Sequence, residues 1–387
     1  MKVLYLITVL APAGAEQSLL AIAPRLSELG ISLEVAYLRE RPGLHAELED
    51  AGIEVISLAG GVGGFPGRFL RTVRLIRQRR PDLVHTTLTE ANLIGRLAGT
   101  VTRVPVVSSL VNVSYGPEQR AAPGASALMV RLRHLLDLVT ARQVARFHAV
   151  TGPVAEVMAS RLGVPRHRID VVPRGRDPEV LGRRLPERRT RAREALGLNG
   201  QTALVVSIAH QDYQKGLDVL LDAMAMVAKE HPHARLVVAG RPGNQTEALQ
   251  TMVDRLDLHQ IVTFLGLRHD VPELLCAADV FVLASRWEGM GGVLLEAMVL
   301  EAPIVVSDLA TLRDAVPDGR YALLVPPENP EALAAAMLTS ISDPGAASER
   351  AGLARQRFLE CFTVERVADE MVAFYRRAVP SGRQSKV

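Results

Sequence analysis

Lysine is nearly absent from this chain of 387 residues. Of its 45 basic residues only Lys2, Lys215, Lys229 and Lys386 are lysine, and the others are arginine. The bias reads first as that of a GC-rich genome, but it makes a lysine inside a motif informative. Cysteine is scarcer still. Cys276 and Cys361 alone exclude a disulfide framework and a cysteine zinc cluster, and they fit a reducing compartment. Aromatic residues make up 4% and form no basic–aromatic stacking platform, so nucleic acid is not an expected partner. Long apolar runs are missing too. The opening run, Met1 to Leu10, is half the roughly 20 residues that a membrane helix requires. Ala11-Pro12-Ala13-Gly14-Ala15 superficially suits a signal-peptide cleavage site. Yet Leu19, Leu20, Ile22, Ala23 and Leu26 follow at helical spacing, and a second apolar run spans Ile31 to Leu38. Strand, turn, helix and strand is therefore the expectation, with no export signal.

What the sequence does contain is alternation. Hydrophobic residues at 48% and charged residues at 22% are ordinary for globular domains, and no short repeat is present. Strand candidates lie at 3–9, 33–37, 54–58, 82–85, 104–108, 146–150 and 169–172, and the series restarts at 203–208, 234–239, 261–264, 280–283, 304–307 and 322–325. Helical patterns or loops separate most of them. Short apolar runs alternating with helices predict an α/β chain of two doubly wound parallel-sheet domains. The expected boundary falls where Pro173-Arg174-Gly175-Arg176-Asp177-Pro178 interrupts the pattern, giving domains over 1–175 and 176–363. The arginine-crowded stretch 183–193 reads as a surface loop and helix start. Residues 364–378 read as an amphipathic helix, and 379–387 as a flexible tail. Sheets of this kind take ligands outside the carboxyl ends of their strands.

The most informative segment is Ser285-Arg286-Trp287-Glu288-Gly289-Met290-Gly291-Gly292-Val293-Leu294-Leu295-Glu296-Ala297-Met298, which follows a strand and enters a helix near Gly292. Glycines allow close backbone approach, and a helix N-terminus offers unpaired N–H groups to a phosphate or diphosphate. Carboxylates beside such a site, Glu288 and Glu296, suit sugar hydroxyls. On the residues alone, a helix N-terminus with a stabilising acid is an equally good reading.

The spacing of Glu288 and Glu296 around a glycine-containing loop resembles the signature of the family-four glycosyltransferases of GT-B fold. The flanks match as well: Ala278-Asp279-Val280 upstream and Pro303-Ile304-Val305-Val306-Ser307-Asp308 downstream. Met290 stands for the usual phenylalanine, and Glu301 for a usual glycine. The likeness runs over nearly the whole chain. It implies two Rossmann-like domains facing a central cleft, with the C-terminal helix returning to the N-terminal domain. It also implies a nucleoside-diphosphate sugar held by the C-terminal domain. Glu296 would hold the ribose and Glu288 the donor sugar, while N–H groups of Gly291, Gly292 and Val293 would meet the diphosphate and sugar. Lys215-Gly216, after the run Val206-Ser207-Ile208, resembles the family's diphosphate-binding Lys-Gly. His210 occupies the place of an arginine five residues earlier, and full function there requires its pKa to rise. Gly14-Ala15-Glu16 resembles the turn that approaches the donor from the N-terminal domain.

On the acceptor side the chain departs from the pattern. Thr87 replaces the second of two histidines after His85, Val111 stands where a histidine often lies near the reacting carbon, and Arg174 replaces an asparagine. His85, Ser109 and Asn112 are the acceptor-side candidates. His231-Pro232-His233 reads as a turn, and no other set of side chains has metal-ligand spacing. Neither a metal nor another cofactor is expected. The helical stretch 65–80 carries Arg68, Arg71, Arg74 and Arg77 on one face and Phe69, Leu70, Val73 and Ile76 on another. It is either a solvated covering helix or a surface for anionic lipid.

The resemblance thus implies a retaining glycosyltransferase that moves a sugar to an acceptor hydroxyl in glycan, glycolipid or polysaccharide synthesis. The expected location is cytoplasmic, at the inner membrane face if lipid is bound. His210 and Val111 keep open a non-catalytic nucleotide-sugar-binding subunit, and the fold keeps open a nucleotide-sugar isomerase.

Overall fold

Thirteen apolar runs become strands, each parallel to its neighbours. They appear in a computed structural model that describes residues 1–379 apart from 62, 125 and 199. The first sheet contains β1 (Lys2–Ile7), β2 (Ser32–Tyr37), β3 (Glu54–Ser57), β4 (Leu83–Thr87), β5 (Val106–Leu110), β6 (Arg146–Ala149) and β7 (Ile169–Val171). Their order is β3-β2-β1-β4-β5-β6-β7. The second contains β8 (Leu204–Ile208), β9 (Arg235–Ala239), β10 (Val262–Gly266), β11 (Val280–Leu283), β12 (Ile304–Ser307) and β13 (Leu323–Val325), in the order β10-β9-β8-β11-β12-β13. Helices cover both faces of each sheet, which is why the strands read as continuous apolar runs. Val3 to Ile7 and Val280 to Leu283 are buried without a break.

The chain divides into two units. One comprises Met1–Gly116, Ala125–Asp177 and the chain from Phe362 onward; the other comprises Pro117–Gly124 and Pro178–Cys361. The helix Val364–Ala378 packs on the helix Gly14–Glu28 within the first unit. Its Val367, Met371, Val372, Phe374 and Tyr375 share one core with Leu19, Ile22, Leu26 and the inward face of β1. Of the expected tail, residues 380–387 lie outside the described residues, and Val379 is buried in that core.

Two stretches carry arginines engaged in contacts that the pattern does not show. Residues 183–193 form the expected loop and helix start, with the helix at Pro186–Ala195. Arg184 and Arg189 donate to the carbonyls of Cys276 and Ala278, and Arg189 and Arg193 hold the Asp279 carboxylate just before β11. Charge periodicity cannot distinguish a solvated arginine from one that caps a neighbouring helix's carbonyls. The helix Gly64–Arg79 turns Thr72, Val73, Leu75 and Ile76 inward and leaves Leu70 exposed. Arg68 pairs with Glu90, and Arg71 donates to the Leu58 carbonyl, so only Arg74 and Arg77 of that basic face are exposed.

Candidate active site

In the second sheet the chain steps outward from β8 through β9 to β10, then returns to place β11 against the other side of β8. The loops leaving β8 and β11 therefore diverge at a topological switch point, where sheets of this class bind ligands. Lys215 lies on the first loop and Glu288 on the second, and the Lys215 ammonium donates to Glu288 Oε1. Ser285 Oγ donates to the same oxygen at 2.9 Å. Glu288 is buried and Lys215 partly so. Lys215 and Glu288, expected from separate motifs, thus form one charged cluster.

Gly216 permits this approach. It takes φ 60°, and a Cβ there would lie 2.1 Å from the Ala284 carbonyl oxygen at the end of β11. Gly291, at φ 70°, precedes the helix Gly292–Val299. The N–H groups of Gly292 and Val293 open that helix without intrahelical acceptors, so its positive end stands beside the cluster. Glu296 lies one turn further on, half buried.

Arg286 ties the two loops together. Its guanidinium grips Asp218 through two bonds of 2.9 and 2.7 Å and donates to the Tyr213 carbonyl at 2.8 Å. It also reaches Glu328 at 3.0 Å and lies 4.0 Å over the Tyr213 ring. Its backbone N–H donates to Gln214, whose side-chain amide donates to the Trp287 carbonyl, each at 2.8 Å. Sequence reasoning missed this role, although an arginine between two motif residues was a visible signal.

His210 sits beside the cluster with a buried Nδ1 that has no protein hydrogen-bond partner. Burial, together with the positive charges of Arg241 and Lys215, pushes its pKa down to about 4. The imidazole is therefore neutral at pH 7, the opposite of what a substitute for arginine requires.

In the first unit, His85, Ser109 and His148 form a buried chain of hydrogen bonds. Tyr375 Oη meets His85 Nδ1 at 2.7 Å, and His85 Nε2 meets Ser109 Oγ at 2.7 Å. Ser109 Oγ meets His148 Nδ1 at 2.9 Å, and His148 Nε2 meets the Val172 carbonyl at 2.8 Å. Burial holds both imidazoles neutral, with His148 pushed down to about 4 and His85 lowered as well. A carbonyl only accepts, so the proton sequence is determined from that end: His148 donates to Val172, Ser109 to His148, His85 to Ser109 and Tyr375 to His85. These side chains line a cavity of about 50 Å³ with Tyr5, Ala15, Ser18 and Arg174. Arg174 also donates to the Gly14 carbonyl and to Ser18 Oγ, fixing the turn after β1. Asn112 takes no part in that chain; its side-chain oxygen accepts from the Val113 N–H. Among the described residues no group of three or more His, Cys, Asp or Glu could hold a metal, and no helix is long and apolar enough to cross a membrane.

Two family models match the chain, Glycosyltransferase Family 4 over residues 12–180 and Glycosyl transferases group 1 over residues 200–343. The chain belongs to the group 1, family-four glycosyltransferases. This glycosyltransferase is 29% identical over 366 residues to the 2-deoxystreptamine N-acetyl-D-glucosaminyltransferase of Streptomyces fradiae, covering 86% of this chain and 83% of that one. It is 27% identical over 336 residues to the D-inositol 3-phosphate glycosyltransferase of Jonesia denitrificans, covering 84% and 78%. The solved structure of Anabaena HepE with UDP-glucose superposes with a TM-score of 0.84 at 23% identity, over 97% of this chain and 99% of that one. That likeness establishes the fold as GT-B.

Proposed function

We propose that this glycosyltransferase takes its sugar from a nucleoside diphosphate and transfers it with retention to an acceptor hydroxyl. The observation that carries the reading is the Lys215–Glu288 pair at the switch point between β8 and β11, beside the open N-terminus of Gly292–Val299. A leaving diphosphate gathers negative charge as the glycosidic bond breaks. Lys215 and the N–H groups of Gly292 and Val293 are the donors that stabilise it, in the role a divalent cation plays elsewhere, so the reaction proceeds without a required metal. Glu288 accepts hydrogen bonds from the donor sugar and Glu296 from the ribose.

His210 donates one neutral N–H to a diphosphate oxygen, and its orphaned ring nitrogen is consistent with a partner supplied by substrate. The acceptor is assigned to the first unit; there His85 and Ser109 are buried and engaged in their own hydrogen-bond chain, which leaves Asn112 as the candidate of the three for an acceptor contact. No carboxylate is secured as a covalent nucleophile, which favours transfer on the same face as the departing diphosphate over a double displacement.

HepE was crystallised with UDP-glucose, which makes that compound the first donor to test. A panel of nucleoside-diphosphate sugars would be screened for thermal stabilisation and slow donor hydrolysis, in the presence and absence of a chelator. One donor should both stabilise and be hydrolysed, insensitively to the chelator. Failure of every donor to bind would overturn the reading, and loss of turnover on chelation would overturn its metal-free form.

A further inference from the structure

Six of the fifteen exposed large apolar side chains among the described residues sit on one helix, Ala127–Ala141. They are Leu128, Met129, Leu132, Leu135, Leu136 and Val139, from 41% to 74% exposed. At helical spacing all six fall within an arc of about 120°, forming a stripe about 16 Å long. The opposite side is fixed to the first unit. The fully buried Arg96 holds Asp137 and Thr140, and Tyr115 donates to the other Asp137 oxygen at 2.8 Å. The helix therefore cannot roll to bury its stripe without breaking that anchor.

Charge selects the occupant. Arg131 and Arg142 border one edge of the stripe and Arg133 the other, all exposed. Asp137 is the one acid between 126 and 143, and Arg96 already engages it. A second copy of the helix would face arginine with arginine and offer no carboxylate to pair, unlike the complementary flanks of a coiled coil. An anionic surface pairs with all three. The helix Gly64–Arg79, the sequence's candidate for lipid, is less suited because its apolar side is spent on the core and Arg68 and Arg71 are engaged.

We propose that Ala127–Ala141 docks this protein on an anionic lipid surface, its leucines entering the boundary between headgroups and acyl chains and its arginines lying at the phosphates. The proposal is independent of the donor chemistry. Its test is sedimentation of the full chain with vesicles of phosphatidylcholine, with and without phosphatidylglycerol. Partitioning should be at least about tenfold stronger on the anionic vesicles and weaken with salt. The double variant Leu132→Asn/Leu135→Asn should lower it by about tenfold or more, while unfolding temperature and donor binding stay at wild-type values because both side chains are exposed. Arg131→Ser/Arg133→Ser should remove the preference for anionic lipid. Wild-type binding by the leucine variant, or no binding to either vesicle, would overturn the proposal. So would a solution dimer that the leucine variant converts to monomer, because it would assign the stripe to a second copy.

Discussion

Lys215 and Glu288 meet as an ion pair across 73 residues of sequence, one from the loop after β8 and the other from the loop after β11. The pair is largely shielded from solvent, and Ser285 and Arg286 fix its surroundings. On the proposed function a donor diphosphate would share Lys215 with Glu288, which already holds the cation in place.

Removing the cation should therefore weaken the donor's diphosphate more than its nucleoside. Lys215→Ala should lower affinity for a nucleoside-diphosphate sugar by about 10- to 100-fold, the worth of one charge-assisted hydrogen bond. Titration calorimetry with the donor and with the free nucleoside should show the loss in the first and little change in the second.

Arg286 touches neither pole of that pair with its side chain, yet it holds both loops. Arg286→Lys keeps a charge but cannot make the fork to Asp218. It should cost about 2 kcal/mol of stability by denaturant titration and weaken donor binding in parallel. Lost stability with unchanged donor affinity would confine Arg286 to a structural role.

His210 is neutral because burial and two nearby cations depress its pKa to about 4. His210→Arg should tighten donor binding by about tenfold through a permanent charge, at some cost in stability from burying it beside Arg241 and Lys215. Thermal melts and donor titrations on one preparation check both effects.

His148 gives stability a pH dependence of definite sign. Its folded pKa of about 4 lies below the ordinary 6.5 because of burial. The unfolded chain therefore binds more protons between those values. The contribution is complete above pH 6.5 and is lost as pH falls toward 4. Its full size is roughly 3 kcal/mol. Unfolding free energies measured across that interval should slope less steeply in His148→Gln than in the wild type.

The fold was legible because parallel strands covered on both faces must be apolar throughout. β1 and β11 announce themselves as unbroken runs, and the helix Val364–Ala378 shows its buried face through Val367, Met371 and Phe374. The site was legible where a residue type is rare or its spacing constrained, as with Lys215 and Glu288. Arg174 and Arg96 were not, because the sequence contains so many arginines that no pattern separates a solvated guanidinium from a buried clamp; for Arg286 the one signal was its place inside the motif. The hydrogen-bond chain from Tyr375 to Val172 was equally hidden. Its members come from four separate strands or strand ends and the last helix, and only the sheet order brings them together.

The most direct test is calorimetric binding of one donor, UDP-glucose or whichever nucleoside-diphosphate sugar the panel selects, to the wild type, Lys215→Ala and Glu296→Ala. The account predicts clear binding by the wild type and a loss of about tenfold or more in each variant, with transfer to acceptor abolished in both. Wild-type affinity and turnover in both variants would contradict it, and the donor site would have to be sought away from the switch point of β8 and β11.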